Sequence, residues 1–474
     1  MSDVQIHFYE WISMVNDPTL LSISEASTLI ETGELSPVDL VELQLEKIEQ
    51  LDEELNAFIT LIPELAKKAA KEAESEIRAG KYRGPLHGIP IGIKDIINTK
   101  GVVTTNGSRI FQDHIPSQDA TVVRRLTKAG AILIGKTNTH EFALGVTTNN
   151  EHYGATRNPW DTERIPGGSS GGSAAATAAN LCFAALGSDT GGSVRIPAAF
   201  CGIVGLKPTY GRVSLHGVFP LATSLDHIGP LTRSVEDTAI LLQEIAGFDK
   251  DDPRSLQAPV PNYRDKLTDA SIEGLKIAIS EDLNEVPLDS CIRIAFRSVM
   301  SKIERLGGEI DEVKLTSAKT SEFVSSTILL AEAATHHAEL LAKHADQYGT
   351  NVINRLKIGQ EIQTDVYIKA SRNREVITRE FELLFQRYDF YLAPTVQILP
   401  PNIGREIVMV DSIEVNVVLG CTQFTRLGNL TGMPVIALPC GFSSDSLPLS
   451  IQFMAPKLGE PELLKLAYAL EEAG

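Results

Sequence analysis

The most informative part of this 474-residue chain reads Pro166-Gly-Gly-Ser-Ser-Gly-Gly-Ser173, followed by Gly187-Ser-Asp-Thr-Gly-Gly-Ser-Val-Arg-Ile-Pro197. Glycine at this density costs conformational entropy on folding, so it is typical of backbone that approaches a ligand closely or adopts positive φ angles. The consecutive N–H groups from Thr190 to Ser193 would suit an anion, such as the oxyanion that forms when a serine attacks a carbonyl. A pair of Gly/Ser surface turns is the alternative that this pattern alone leaves open.

A nearby segment matches the phosphate-binding pattern G-x-x-x-x-G-K-[ST] letter for letter. It reads Gly130-Ala-Ile-Leu-Ile-Gly-Lys-Thr137. In a phosphate-binding loop the four variable residues form a turn whose N–H groups surround the phosphates. Here those four residues are apolar and predict a buried strand instead, so we interpret the match as coincidental.

The first glycine-rich stretch also fits G-x-S-x-G, the nucleophile elbow of Ser-His-Asp hydrolases, at Gly167-Gly-Ser-Ser-Gly171. That elbow follows an apolar strand, whereas residues 160–166 are mostly polar and end in proline. His216 and His227 are the candidate histidines downstream. We interpret both as ordinary hydrogen-bonded side chains, because proximity in sequence is not the geometry of a triad.

A serine hydroxyl is a poor nucleophile until a base removes its proton, and Lys94 is the best upstream candidate for that base. It follows the apolar, strand-like run Gly88-Ile-Pro-Ile-Gly-Ile93. Burial disfavours an ammonium group, and the resulting neutral amine can act as a general base. Asp95 would point to the opposite face of an extended run and so need not neutralise this effect.

The charge balance excludes some classes of protein. The chain has 43 Lys+Arg against 61 Asp+Glu, a formal net charge of −18. This balance argues against a general nucleic-acid binder or a protein that binds anionic membranes, because both need a basic face.

The five cysteines are scattered without C-x-x-C spacing, which disfavours a disulfide framework or a zinc site. The start of the sequence does not read as a signal peptide and no run suits a membrane span, so we expect a cytoplasmic location.

Apolar strand-like runs alternate with helical patterns along the rest of the chain, which predicts an α/β fold. Ser36-Pro37 is typical of an N-cap followed by proline at the first helical position. Gly80 and Gly130 are suited to ending helices. Helices are predicted over 66–79, 119–129 and 173–179 and around 320–345 and 371–387, and strands over 131–134, 182–186, 275–279, 390–393, 435–438 and 449–454. The segment 249–261 reads either as a surface loop or as a domain boundary.

Taken together, these motifs resemble the amidase signature family of Ser-Ser-Lys hydrolases. The resemblance rests on the two stretches quoted first and on Cys201-Gly-Ile-Val-Gly-Leu-Lys-Pro-Thr209, and it is strongest over residues 20–245. It implies a mixed β-sheet core sandwiched by helices in one domain, 1–474. Within that domain, 1–83 would be an N-terminal helical segment, 84–248 the signature core, and 262–474 a C-terminal half with a helical cover over the active site.

The resemblance also implies roles for individual residues. Ser193 matches the nucleophile of the family, Ser169 the bridging serine, which the family associates with a cis peptide bond, and Lys94 the base. Seventy-five positions separate Lys94 from Ser169 (169 − 94) and 24 separate Ser169 from Ser193 (193 − 169), which is similar to the family's spacing.

Further residues would support this set. The amides of Thr190, Gly191, Gly192 and Ser193 match the oxyanion hole. Ser170 is expected to support the hydrogen-bond network, and Arg195 to hold the loop rather than contact the substrate. No metal, nucleotide or organic cofactor is required by this chemistry.

The sequence therefore predicts an amidase that hydrolyses small carboxamides, including aryl amides, through a covalent acyl-enzyme, with carbamates and esters as side substrates. It would act as a monomer or homodimer, without direct contact to nucleic acid or a membrane. An alternative stays open, because the core also resembles the glutamine-hydrolysing A subunits of tRNA-dependent amidotransferases, which work with partner subunits. The segment Phe424–Pro434 reads more like stand-alone amidases. A non-catalytic scaffold is disfavoured by the intact Lys-Ser-Ser set.

Overall fold

The computed structural model describes residues 17–474. The predicted N-terminal segment 1–83 therefore lies partly outside the described residues, which begin at Asp17. The strands are β1 (Phe58–Leu61), β2 (Pro90–Lys94), β3 (Ile132–Thr137), β4 (Asn149–Asn150), β5 (Gly154–Ala155), β6 (Ala184–Ser188), β7 (Val204–Lys207), β8 (Ile228–Thr232), β9 (Lys276–Ser280), β10 (Glu309–Val313), β11 (Phe390–Pro394), β12 (Ile407–Val410), β13 (Ile413–Asn416), β14 (Val435–Phe442) and β15 (Pro448–Met454).

The α-helices alternate with these strands, as the sequence pattern predicted. They are α1 (Ile23–Thr32), α2 (Pro37–Leu55), α3 (Pro63–Arg78), α4 (Thr121–Ala129), α5 (Gly171–Ala178), α6 (Arg195–Cys201), α7 (Val235–Ile245), α8 (Ser290–Arg305), α9 (Ser321–His336), α10 (Ala338–His344), α11 (Thr350–Gln360), α12 (Thr364–Leu384), α13 (Val417–Thr422), α14 (Arg426–Thr431) and α15 (Glu460–Glu472). Short 3₁₀ turns lie between some of them, at Pro18–Leu20, Arg109–Phe111, Glu141–Ala143, Asp265–Leu267, Glu281–Asn284, Ala318–Thr320 and Ala345–Gln347.

Local signals explain several helix ends. The Ser36 side chain accepts hydrogen bonds from the first turn of α2, and Pro37 occupies its first position, as predicted. Helix α4 ends at Gly130, whose φ of 90° is left-handed and suits glycine. The helix predicted around 320–345 is instead two helices, α9 and α10, because the backbone breaks near His337, whereas the helix predicted around 371–387 corresponds to the unbroken α12.

Eleven strands form one mixed sheet in the order β1-β3-β2-β6-β8-β7-β14-β15-β11-β9-β10. Strand β2 lies parallel to both β3 and β6, whereas β8 runs antiparallel to β6 and β7. The predicted α/β fold with a mixed sheet is confirmed. The further prediction that the chain is a single domain of three segments stays a prediction.

Helices pack on this sheet and position the glycine-rich stretches. Helix α5, which follows the first stretch, lies against β2, β6 and β8, while α6, which follows the second, lies against β7, β14 and β15. Both helices are buried along their whole length except Ala178. The residues that precede them, Ser169–Ser170 and Ser193, are buried as well, and Ser169 and Ser170 lie beside the end of β2.

The segment 249–261 is a loop tethered to the core. The Asp249 carboxylate accepts hydrogen bonds from Thr121 Oγ1 and Ser214 Oγ, each at 2.6 Å, and Asp252 accepts one from the Leu215 amide at 2.7 Å.

Among the described residues, no helix is long and apolar enough to cross a membrane. All five cysteines are free thiols.

Candidate active site

Lys94 ends β2 and is completely buried. Its Nζ atom lies 2.6 Å from Ser169 Oγ, 2.8 Å from Ser188 Oγ and 2.9 Å from Ser170 Oγ. Burial lowers the pKa of Lys94 well below its usual range, against the weaker opposing influence of the Asp189 and Asp226 charges. The three nearest polar groups are therefore hydroxyls, in a setting that favours a neutral amine.

Asp95 does not pair with Lys94, as the alternation along a strand predicted. Its carboxylate accepts hydrogen bonds from the amide and hydroxyl of Thr105 and lies 3.5 Å from Lys136 Nζ. Lys136 is also fully buried, and its Nζ donates to Ile97 O at 2.6 Å and Thr104 Oγ1 at 2.7 Å. The phosphate-loop match ends just after this lysine, and its residues 132–137 form β3, so the match is coincidental.

The loop before α5 holds Ser169 by backbone contacts. The peptide bond between Gly168 and Ser169 is cis. The Ser169 carbonyl accepts hydrogen bonds from the His140 amide at 3.1 Å and Thr139 Oγ1 at 2.9 Å. A Cβ atom at Gly168 would lie 2.8 Å from the amide nitrogens of Thr147 and Thr148, so only glycine fits this close approach.

Ser170 joins the hydrogen-bond network around Lys94 to the end of β6. Its Oγ atom donates to Ser188 O and accepts from the Ser188 amide, both at 3.2 Å. This pair of bonds joins the first glycine-rich loop to the end of β6. Ser188, which sequence analysis did not single out, thus contacts Lys94 and Ser170 together. Its place beside Asp189 in the second glycine-rich stretch was the available signal.

The second glycine-rich loop folds around the Asp189 carboxylate. This buried carboxylate accepts hydrogen bonds from Arg195 Nε and Nη2, both at 3.0 Å, and from Asn429 Nδ2 at 2.8 Å. Burial alone would raise the pKa of Asp189, but Arg195 and Asn429 outweigh it and hold the pKa well below the usual range. Arg195 also donates to Gln452 Oε1 at 2.9 Å, which ties the loop to β15.

The backbone amides of this loop that are free to bind an oxyanion differ at one position from the oxyanion hole predicted from the sequence. The Gly192 N–H donates to Asp189 Oδ1 at 2.9 Å, so it is not available to an oxyanion, and the prediction for Gly192 is corrected. The amides of Thr190, Gly191 and Ser193 donate to no acceptor within residues 17–474. The Asp189 carboxylate thus accepts from the amides of Gly192 and Val194, and the amides of Thr190, Gly191 and Ser193 stay free within the described residues.

Other side chains fix the outer edge of the loop. Thr190 Oγ1 donates to Asp226 Oδ1 at 2.6 Å, and Thr425 Oγ1 donates to Gly191 O at 2.6 Å. Burial raises the pKa of Asp226 to about 6. His227, a candidate for a Ser-His-Asp triad, instead contacts Lys207 Nζ and Leu225 O. With no strand between residues 160 and 170, the nucleophile-elbow interpretation is not supported.

Ser193 opens onto a small cavity of about 50 Å³, which we call the inner cavity. The Ser193 residue is 7% exposed, and its Oγ atom has no hydrogen-bond partner within the described part of the chain. Apolar side chains of α9 and two arginines, Arg355 and Arg426, lie around it. The lining residues are Ala143, Leu144, Gly145, Val146, Thr190, Gly191, Ser193, Leu221, Ser325, Ser326, Leu329, Leu330, Arg355, Val418, Thr422 and Arg426.

A larger cleft of about 640 Å³, the outer cleft, shares Arg355 and Val418 with the inner cavity. His140 and Glu151 also line it. Neither arginine was singled out from the sequence, because they come from α11 and α14, where no motif marks them. No group of three or more His, Cys, Asp or Glu side chains in residues 17–474 is placed to hold a metal ion.

Comparisons with known proteins find relatives that match nearly the whole chain. A family model described as Amidase matches residues 39–464. The A subunit of the glutamyl-tRNA(Gln) amidotransferase from Geobacillus kaustophilus is 42% identical over 95% of this chain and 97% of the relative.

Two solved structures are also similar. One, of a vestigial protein complex connected with the origins of an s-triazine catabolic enzyme, has a TM-score of 0.92 and 32% identity over 96% of this chain and 99% of that one. A bacterial aryl acylamidase of the amidase signature family has a TM-score of 0.88 and 26% identity, covering 96% of each chain.

Proposed function

The chain belongs to the amidase family, and on that premise we propose that it hydrolyses a carboxamide through a covalent acyl-enzyme on Ser193. The observation that carries the proposal is the buried Lys94, whose Nζ atom contacts three serine hydroxyls and no carboxylate. A lysine in this setting can serve as a base at a pH where an exposed lysine is an ammonium ion.

Counting hydrogens supports a direction for the first proton transfer. A neutral amine has two N–H donors and one lone pair, so of the three hydroxyls around Lys94 one must donate to it. Ser169 has the shortest contact, 2.6 Å, and is the hydroxyl assigned to that donation. Ser188 and Ser170 would then accept the two N–H groups.

Atoms and protons balance in the proposed reaction. Lys94 takes the proton of Ser169, which takes the proton of Ser193 as Ser193 Oγ bonds to the carbonyl carbon. The tetrahedral intermediate collapses when the C–N bond breaks, Ser169 gives its proton to the leaving nitrogen, and Lys94 returns the proton it holds to Ser169. Water then attacks the ester, the acid leaves, and the Ser193 hydroxyl is regenerated. Since Ser193 Oγ has no partner among the described residues, its contact to Ser169 would form with substrate in place.

The developing oxyanion would be held by the amides of Thr190, Gly191 and Ser193. These donors are free within the described residues, whereas Gly192 is engaged by Asp189. Donors fixed before the reaction stabilise the transition state without reorganisation. Arg195 and Asn429 act here as positioning residues because they hold Asp189, and Gln452 in turn holds Arg195.

Two assignments of substrate compete. The printed names of the relatives that match nearly the whole chain support glutamine as the amide, with the chain working as the A subunit of a tRNA-dependent amidotransferase beside partner subunits. This support is stronger than the resemblance of residues 424–434 to stand-alone amidases. One structural observation favours the stand-alone assignment. The inner cavity is lined by two arginines and, among the described residues, by no acidic side chain that could bind the ammonium group of glutamine. Cytoplasmic location and action on carbamates or esters stay predictions.

A substrate panel on the purified chain tests the proposal. Release of 4-nitroaniline from an anilide, or of ammonia from a simple carboxamide, that is lost in Ser193→Ala supports amide hydrolysis by Ser193. Ammonia release from glutamine only after the partner subunits of an amidotransferase are added supports the tRNA-dependent assignment. Turnover that persists in Ser193→Ala would reject the proposed mechanism.

A further inference from the structure

Two guanidinium groups line the inner cavity beside Ser193 without any anionic partner among the described residues. Arg426, at the start of α14, is 5% exposed, and its Nη1 atom has no hydrogen-bond partner in residues 17–474. Arg355, on α11, forms no hydrogen bond or ion pair with any of the same residues, and burial lowers its pKa. The two side chains are close enough to repel each other, since Arg355 contributes to lowering the pKa of Arg426.

This state of Arg426 is unlike that of the buried Arg195 and Arg212 and the half-buried Arg374. Arg195 pairs with Asp189, Arg212 donates to the carbonyls of Ala258 and Pro259, and Arg374 donates to those of Ser224 and Leu430. Structural arginines in this protein are thus satisfied by carboxylates or carbonyls. A buried guanidinium with an unpaired N–H is costly, so a ligand that completes its bonding is expected.

The charge of the cavity is positive. Burial lowers the pKa of Arg426 to about 10, which still leaves it charged at neutral pH. Glu322 is the nearest acid acting on Arg426, but it is exposed and forms no ion pair with it. No Asp or Glu lies among the described residues that line the inner cavity. The site therefore offers two cations and no acceptor for a substrate ammonium group.

We infer that the inner cavity binds a carboxylate on the acyl part of the substrate, so that the preferred amides are monoamides of short dicarboxylic acids. Guanidinium groups bind carboxylates through paired, charge-assisted hydrogen bonds. For glutaramate the reaction would consume water and give glutarate and ammonia. The inference rests on the proposed amide hydrolysis and separates its two substrate assignments, because an α-ammonium group, as in glutamine, would face two like charges.

The acidic side chains that line the outer cleft do not line the inner cavity, where a substrate ammonium group would need one. Glu151 lines it, but its carboxylate already accepts hydrogen bonds from the amides of Thr350 and Asn351 at 3.0 and 3.1 Å. Glu406 also lines that cleft but not the inner cavity. A substrate ammonium would have to leave the nucleophile's cavity to reach either carboxylate.

Three amides that differ by one charged group test the inference. Pentanamide is neutral, glutaramate adds the carboxylate, and L-glutamine adds the ammonium. We expect kcat/KM of the wild-type chain to be about 10- to 100-fold higher for glutaramate than for either of the others. Arg426→Gln and Arg355→Gln should each raise the KM for glutaramate, so that kcat/KM for glutaramate falls about 10-fold or more beyond any change in kcat/KM for pentanamide. Arg372→Gln, an exposed arginine on α12, is the matched control.

A binding measurement keeps the inference independent of turnover. In Ser193→Ala, calorimetry should detect glutaramate binding that weakens about 10-fold or more when Arg426→Gln is added, in protein shown by thermal unfolding to be folded. Equal binding with and without Arg426, or tighter binding of glutamine than of glutaramate, would overturn the inference. If glutaramate binds as expected but no amide is hydrolysed, the proposed function fails while the carboxylate site stands.

Discussion

The Nζ atom of Lys94 lies 2.6 Å from Ser169 Oγ, and both residues are inaccessible to solvent. The contact joins the end of β2 to the loop that precedes α5, two parts of the chain that are 75 residues apart. It places a base with a lowered pKa beside the serine that the proposed mechanism uses as a proton carrier. Activity is therefore expected to depend on this pair as much as on the nucleophile.

Replacing the nucleophile should remove activity without harming the fold. Ser193→Ala is expected to lower kcat for any amide substrate by about 10³-fold or more, because no acyl-enzyme can form. The measurement is ammonia release under saturating substrate. Ser301→Ala, an exposed serine on α8, is the control and should retain wild-type turnover. Full activity in Ser193→Ala would show that a residue other than Ser193 is the nucleophile.

The two buried lysines of neighbouring strands should respond differently to the same substitution. Lys94→Met is expected to lower kcat by about 10²- to 10⁴-fold through loss of the base, with an unfolding free energy within about 1 kcal/mol of wild type. Lys136→Met leaves Asp95 buried without its cation, so it should cost about 3 kcal/mol of stability. Urea unfolding and steady-state kinetics on both variants separate the roles. Near-wild-type turnover in Lys94→Met would show that Lys94 is not the base of the proposed proton relay.

The rate should depend on pH through Lys94. The active form is the neutral amine, so kcat/KM for a neutral amide is expected to fall below the pKa of Lys94 and to be level above it. Because burial lowers that pKa well below 10.5, the plateau should begin well below pH 10.5. A pH–rate profile of the wild-type chain measures this. A rate that keeps rising towards pH 10.5, as for an exposed lysine, would contradict the lowered pKa.

Asp237 should make the fold less stable as the pH rises. This buried carboxylate accepts hydrogen bonds from the amides of Ile23 and Ser24, and burial raises its pKa from 3.8 to about 6. The folded state then binds more protons than the unfolded state between those values, so this contribution to stability is greatest below about pH 3.8 and declines as the pH rises to about 6. The decline should amount to about 2–3 kcal/mol.

Asp237→Asn keeps an acceptor oxygen and removes the titration. We expect its unfolding free energy, measured in urea, to fall by about 2 kcal/mol less between pH 4 and pH 7 than that of the wild type. The exposed Asp365→Asn provides the comparison. An identical pH dependence in Asp237→Asn and wild type would show that burial does not raise this pKa.

The fold and the central residues of the site were predictable because long, unusual motifs mark them. Glycine-rich loops that end at buried helices left few alternatives for Ser169 and Ser193, and an apolar run ending in a lysine indicated Lys94. The strands and helices followed from their spacing, with ends shifted by a few residues. The first predicted cover helix is broken near His337, where polar residues interrupt the pattern, and periodicity did not resolve that break.

The rest of the site depends on contacts that no local pattern carries. The direction of the Gly192 N–H is set by Asp189, which is held by Asn429, 240 residues further along the chain. Arg355 and Arg426 matter because α11 and α14 bring them to one cavity, and each residue alone reads as an ordinary surface arginine. Their lack of partners within the described residues is visible only in three dimensions.

The bond between Arg195 and Gln452 spans 257 residues. During synthesis, the loop that bears the nucleophile therefore leaves the ribosome long before the strand that anchors it. Until β15 joins the sheet, Arg195, which holds Asp189, lacks its Gln452 acceptor. The contact that ties this loop to β15 can therefore form only after nearly the whole chain has been made.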